Sequence, residues 1–228
     1  MWQKFICRRA ALSREAQLRS SWKRPVLLGK LYGKTRRSIM KENLLRFNKK
    51  QKYMVFDFET CNLNLVSKDN KPWQLAFMIY EGDKLIESND YFIHWDDLKM
   101  SDGARKVTGF KDSVYKKKAE PAEKILDHFE KYLYDDDYIK LGHNIFGFDI
   151  YIHNIYRKLL GRKTDYSYLK KCIDTLSIAK AIAKDIKINE DDELLSWQFK
   201  LNSIYERGLR LNLGACCKNY DVELDTTK

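Results

Sequence analysis

The first sustained apolar run in the chain is Tyr53–Phe58, a short stretch that ends in acids and predicts a buried central strand. Gln74–Tyr80 predicts a second strand and Leu85–His94 a third, joined by the turn residues Glu81-Gly82-Asp83-Lys84. Those two strands in hairpin, beside the first, make an antiparallel meander. From Glu120 to Leu133 the rhythm changes. Ala122, Ile125, Leu126, Phe129 and Leu133 recur at helical spacing, with Pro121 near the start, where proline is tolerated. Asp137–Leu141 predicts a fourth, short strand leading into Gly142-His143-Asn144. A helix is expected from Phe146 or Gly147 to Leu160, stopped by Gly161. Thr175–Ile186 predicts a further helix, 189–193 an acidic loop, and Leu194–Leu209 a last helix ending near Gly208. Three meander strands followed by strand–helix alternation predict an α/β fold: a mixed sheet of an antiparallel meander plus parallel strands, flanked by helices. No internal repeat is visible.

Upstream of Tyr53 the pattern is weaker. Ala10–Leu18 and Thr35–Phe47 are short amphipathic candidates, the second placing Ile39, Leu44, Leu45 and Phe47 among Arg and Lys. Charge separates this region from the rest. Of the net +11, residues 1–52 hold 16 Lys/Arg against only Glu15 and Glu42, whereas residues 53–228 hold 27 Lys/Arg against 30 acids. The expected organisation is a basic arm over 1–52, partly helical or without a fixed fold, and a near-neutral domain over 53–228. An anionic partner would meet the arm first.

Composition narrows the class. A 44% hydrophobic and 13% aromatic content is enough for a real core in 228 residues. No stretch reaches the roughly 18 apolar residues of a membrane-spanning helix, so no membrane is expected. Five scattered cysteines without a CxxC pair argue against a disulfide framework or structural zinc, and for reduced thiols inside a cell. The Arg-rich, acid-poor start leaves organellar targeting open beside a nucleic-acid-binding or solvated tail.

Among candidate chemical groups, Asp57 and Glu59 stand at the carboxyl end of the first strand. Asp-x-Glu also occurs at 191/193 and 221/223, but only 57/59 follows an apolar strand. Period-two geometry puts both carboxylates on one face. Like charges that close invite a hard divalent cation such as Mg²⁺; the alternative is a polar strand end with solvated acids. Asp149 follows the fourth strand in the first turns of a helix, where the helix dipole favours an acid in any case. Asn144 is either that helix's cap or a donor to a phosphate. His94, His128 and His153 lack a matching second ligand and read as packed or surface imidazoles. His143 orients the Asn144 segment, Asp174 is a helix N-cap, Lys116-Lys117-Lys118 reads as a solvated loop with contact to a phosphate backbone as the alternative, and Asp135-Asp136-Asp137 carries no function.

The combination of motifs resembles the DEDD superfamily of 3′–5′ exonucleases, which share the ribonuclease-H-like fold. Val55-Phe56-Asp57-Phe58-Glu59-Thr60 is similar to its first motif and His143-Asn144 through Phe148-Asp149 to its second. Val107-Thr108-Gly109-Phe110 resembles its x-x-Gly-Ile segment, and Ile173-Asp174-Thr175-Leu176 the start of a later helix. The look is nearest to phage-type proofreading exonuclease domains and covers roughly Lys52 onward. It implies two-metal hydrolysis with Mg²⁺ or Mn²⁺, the ions about 3.5–4 Å apart. Asp57 would bridge both, Glu59 would hold the first ion and the attacking water, and Asp149 would serve the second. Phe58, Phe146 and Phe148 would stack on or wedge terminal bases, although core packing is the favoured reading for Phe148. Thr60 and Asn144 would contact substrate. The implied partner is single-stranded DNA or a DNA 3′ end, with RNA and a DNA polymerase as further options. The family's third motif brings a fourth acid behind a His or Tyr. Tyr220 and Asp225 have that spacing in surroundings unlike it, so the catalytic set is expected to be incomplete and the chain truncated or split. A catalytically inactive nucleic-acid-binding module is the alternative, and a ribonuclease of the same fold a third.

Overall fold

A computed structural model describes residues 45, 47–189 and 191–222; Ala10–Leu18, nearly all of Thr35–Phe47, and Asp225 lie outside them. The first apolar run is strand β1 (Lys52–Thr60), flanked by β2 (Pro72–Glu81), which turns into β3 (Lys84–His94) as an antiparallel meander. The turn needs Gly82: its φ is +60°, and a Cβ there would stand 2.3 Å from the Lys49 carbonyl oxygen.

Two short helices follow that the pattern did not predict, α1 (Asp102–Thr108) and α2 (Asp112–Lys118). α1 buries no residue and so shows no apolar period. The Lys116–Lys118 run is exposed as expected, but it closes α2 and is not a loop. β4 (Ala119–Pro121) pairs parallel to β3 and leads into α3 (Ala122–Leu133). β5 (Tyr138–Gly142) runs parallel to β1, then come α4 (Asp149–Leu159), a 3₁₀ turn (Ser167–Lys171), β6 (Cys172–Asp174) parallel to β5, α5 (Thr175–Ala183), α6 (Leu194–Asn202) and α7 (Leu213–Asn219). The sheet order is β4-β3-β2-β1-β5-β6. The expected α/β class, a meander plus parallel strands flanked by helices, is what the chain adopts.

Three helix boundaries differ from expectation for local reasons. α4 starts at Asp149 because 144–147 form a tight turn in which the Gly147 N–H donates to the Asn144 carbonyl at 3.0 Å. α5 stops early because Asp185 turns left-handed and the Ile186 N–H returns to the Ala181 carbonyl. α6 ends at Asn202, whose carbonyl accepts from Lys180 Nζ at 2.5 Å.

Alternation along β1 builds a core on each side of the sheet. Met54, Phe56 and Phe58 point to the α3/α4 side, where Phe129 lies edge-on to Phe56, Phe58 and Phe77 at 5.3, 5.4 and 5.7 Å. Tyr53 and Val55 point to the other side, with Ile139, Ile173, Leu194, Trp197 and Leu201. The segment ahead of β1 joins this second core. Phe47 stacks on Tyr53 at 5.9 Å, the Asn48 N–H donates to the Tyr53 hydroxyl, and Gln51 Nε2 donates to the Asp137 carbonyl at 2.6 Å. Among the described residues no helix is long and apolar enough to cross a membrane.

Candidate active site

Pairing of β1 with β5 ends at Val55↔Leu141, while β1 continues to Thr60. Beyond that point β1 has lost its partner on the β5 side, and backbone N–H groups there need another acceptor. The Phe58 N–H finds it in Asp149 Oδ1, at 3.0 Å. Asp149, the first residue of α4 and 1% exposed, therefore docks its carboxylate on the strand between Asp57 and Glu59. Asp149 thus lies beside Asp57 at this strand end, and Glu59 neighbours Asp57 on the same strand face.

Their electrostatics follow from this crowding. Asp57 is pushed up to about 8, by burial first and then by the charge of Glu59. Burial raises Glu59 to about 7. Asp149 is raised well above the carboxylate range, by burial and then by Asp57. Among the described residues no Lys or Arg forms an ion pair with any of the three. Buried oxygen donors with no paired cation suit a hard divalent ion that takes the place of their protons. Closure is less complete: among the described residues no group of three or more His, Cys, Asp or Glu side chains is arranged to enclose a metal ion.

The remaining expected contacts need correction. Phe58 is 2% exposed and packs against Phe129, Phe56 and Tyr156, so it does not face the acids. The alternation that aligns Asp57 with Glu59 turns Phe58 to the opposite face. Phe146 is likewise buried, stacked on Phe199 at 4.6 Å. Phe148 is half-buried against the α3/α4 core, as the packing reading had it. Thr60 is buried, and its hydroxyl donates to the Asn62 carbonyl at 2.6 Å. Asn144 does not cap α4; the N-cap position is Phe148, which makes no side-chain cap bond. Instead Asn144 takes φ +64°, a left-handed conformation costing a non-glycine residue about 1–3 kcal/mol. Its Oδ1 accepts from Asn202 Nδ2 at 3.3 Å. An open groove of 360 Å³ lies beside it, lined by His143, Asn144, Lys180, Tyr205, Glu206 and Asn212 among others. None of the three acids lines that groove.

His143 contacts the Thr175 hydroxyl at 3.1 Å, in keeping with an orienting role. His153 is buried between the Tyr168 hydroxyl and Glu130, which also takes Arg157 and Arg162. His128 bonds Tyr91 and Glu87, and His94 meets Asp96 at the surface. The residue that sequence reading undervalued is Asp174. It does cap α5 through the Leu176 N–H, but it also accepts from the Asn144 and Phe146 N–H groups and from Asn202 Nδ2. Asn144 and Asn202 lie about thirty residues to either side of it, and sequence spacing carries no signal for such donors.

This sheet order, with paired acids leaving the central strand and a third at the helix after β5, is of the ribonuclease-H-like class. Within that class the chain resembles solved structures of exonuclease I. The E. coli enzyme in complex with a dA16 oligonucleotide superposes with a TM-score of 0.53 at 18% identity, covering 69% of this chain and 36% of that one. Its zinc-bound complex with single-stranded DNA gives 0.52 at 17% identity, covering 58% and 30%. An apo exonuclease I gives 0.52 at 19%, covering 68% and 38%. The matched part thus spans about a third of those chains, and at such identity the likeness is one of fold. By sequence, the chain matches no protein-family model and no curated protein.

Proposed function

We propose that this chain is a metal-dependent 3′–5′ exonuclease acting on single-stranded or frayed DNA inside the cell. The observation that carries the reading is the Asp149 carboxylate bonded to the Phe58 N–H between Asp57 and Glu59. The exonuclease I fold supports it, those neighbours having been seen with single-stranded oligonucleotides.

Asp57 and Glu59 share one face of β1, so both carboxylates can address the same scissile phosphate. Asp149 has Oδ1 committed to the Phe58 N–H, which fixes its orientation toward Asp57. Raised proton affinities mean that the acids hold protons until a cation displaces them. Mg²⁺ or Mn²⁺ held by Asp57, Glu59 and Asp149 would supply Lewis-acid activation of water and neutralise charge on the leaving 3′ oxygen. A DNA polymerase, which extends the 3′ ends such an activity would trim, is the natural partner.

A 5′-labelled single-stranded DNA, incubated with the full chain and Mn²⁺, should shorten stepwise from its 3′ end. EDTA or Asp57→Asn should stop this. An RNA of the same sequence tests the ribonuclease option. The lack of a closed metal cage among the described residues favours a second reading, a nucleic-acid-binding module without turnover. Retained oligonucleotide binding with no shortening would establish it; loss of both would remove both readings.

A further inference from the structure

We infer that Asp174 is a positioning residue for the carboxylate site, acting through the loop between β5 and α4. The inference rests on the nuclease reading above. A helix cap needs one or two donors, and Leu176 N–H already supplies one at 2.9 Å. Asp174 is 0% exposed, and both of its oxygens serve two parts of the fold. Oδ1 takes the Asn144 N–H at 2.8 Å together with Leu176, and Oδ2 takes the Phe146 N–H at 3.3 Å together with Asn202 Nδ2 at 2.9 Å. One carboxylate thus ties the start of α5 and the end of α6 to the 144–146 turn.

That turn hands its geometry on to Asp149. The Ile150 N–H donates to the Ile145 carbonyl and the Gly147 N–H to the Asn144 carbonyl, so the first residues of α4 hang from the segment Asp174 holds. The fit is tight on the other side as well. A Cβ on Gly142 would lie 2.2 Å from Ile145 Cγ2, and one on Gly147 2.3 Å from Asn144 Oδ1. The left-handed Asn144 is held where its backbone N–H meets the carboxylate. The backbone of Asp174 is itself fixed, its N–H donating to Gln198 Oε1 at 2.9 Å. Loss of the carboxylate frees the turn, and with it the angle at which Asp149 reaches Phe58.

The test uses the full chain and Mn²⁺ alone. Asp174→Asn should speed amide exchange at Asn144 and Phe146 and weaken Mn²⁺ binding by about tenfold, the low end for outer partners of metal ligands. Asn202→Ala, which removes the Nδ2 bonds to Asp174 and to Asn144 Oδ1 but keeps the carboxylate, should move both readouts less and in the same direction, and it carries the test if Asp174→Asn fails to fold. Leu133→Ala, in the α3 core, should lower the melting temperature and leave Mn²⁺ affinity unchanged. Wild-type Mn²⁺ affinity in Asp174→Asn or, failing that, in Asn202→Ala would reduce Asp174 to a cap and overturn the inference. A wild-type chain that takes up no Mn²⁺ overturns the nuclease reading and this role with it. Unchanged exchange at Asn144 and Phe146 shows instead that the clamp itself is wrong.

Discussion

Without a metal, Asp57 and Glu59 hold protons in the folded chain that they release when unfolded, because burial raises them to about 8 and about 7. The unfolded values lie near 4. Between about pH 4 and pH 8 the folded state binds more protons, so stability falls as pH rises through that window and levels off above it. Thermal melts in EDTA should show this fall, and Asp57→Asn should remove much of it while melting higher than wild type at pH 8. Mn²⁺ should restore the wild type at pH 8 by mass action and leave Asp57→Asn unmoved. Identical pH profiles for the two proteins would mean that the acids are solvated. Gly147→Ala is a second residue-scale case. Its methyl meets Asn144 Oδ1, so a loss of about 1–3 kcal/mol is expected, the usual range for overpacking, read as a lower denaturation midpoint.

Among the elements, α3 braces the sheet face opposite Asp57 and Glu59. Phe129 touches Phe56 and Phe58 on β1 and His153 on α4, the strand and helix that bring the acids together. Phe129→Ala should cost about 3–5 kcal/mol in urea unfolding. α3 was legible in the sequence because its five buried residues keep the helical period. β4 and β6 were not, being three residues each and too short for any period. α1 left no trace because nothing in it is buried. In the site, the Asp57/Glu59 pair could be read from strand phase, whereas Asp149 was joined to it by the likeness of the motifs, since an acid at a helix start is favoured in any case. The burial of Phe58 could have been read from that same phase. The Asp174 clamp could not, since its partners are backbone and amide groups that only the tertiary fold brings near.

At the scale of the molecule, charge is divided between the basic first 52 residues and a domain with a slight acidic excess. If the basic segment carries nucleic-acid affinity, its removal should weaken single-strand binding and flatten the salt dependence, because each neutralised phosphate releases counter-ions. Phe47 and Gln51 pack on the sheet, so the deletion that leaves the domain whole stops at residue 43. A salt titration of the full chain and this deletion checks it; equal slopes would assign the affinity to the domain. The packing of Phe47 on Tyr53 has a geometric consequence. It roots the basic segment on the strand that ends in the acids, and from Lys52 to Asp57 a strand advances about 17 Å, at 3.3–3.4 Å per residue. A polynucleotide gripped near that root and cut at Asp57 would be engaged twice by one rigid element. The second grip then becomes an intramolecular event governed by effective concentration, and the spacing of the two grips sets the shortest strand that can hold both.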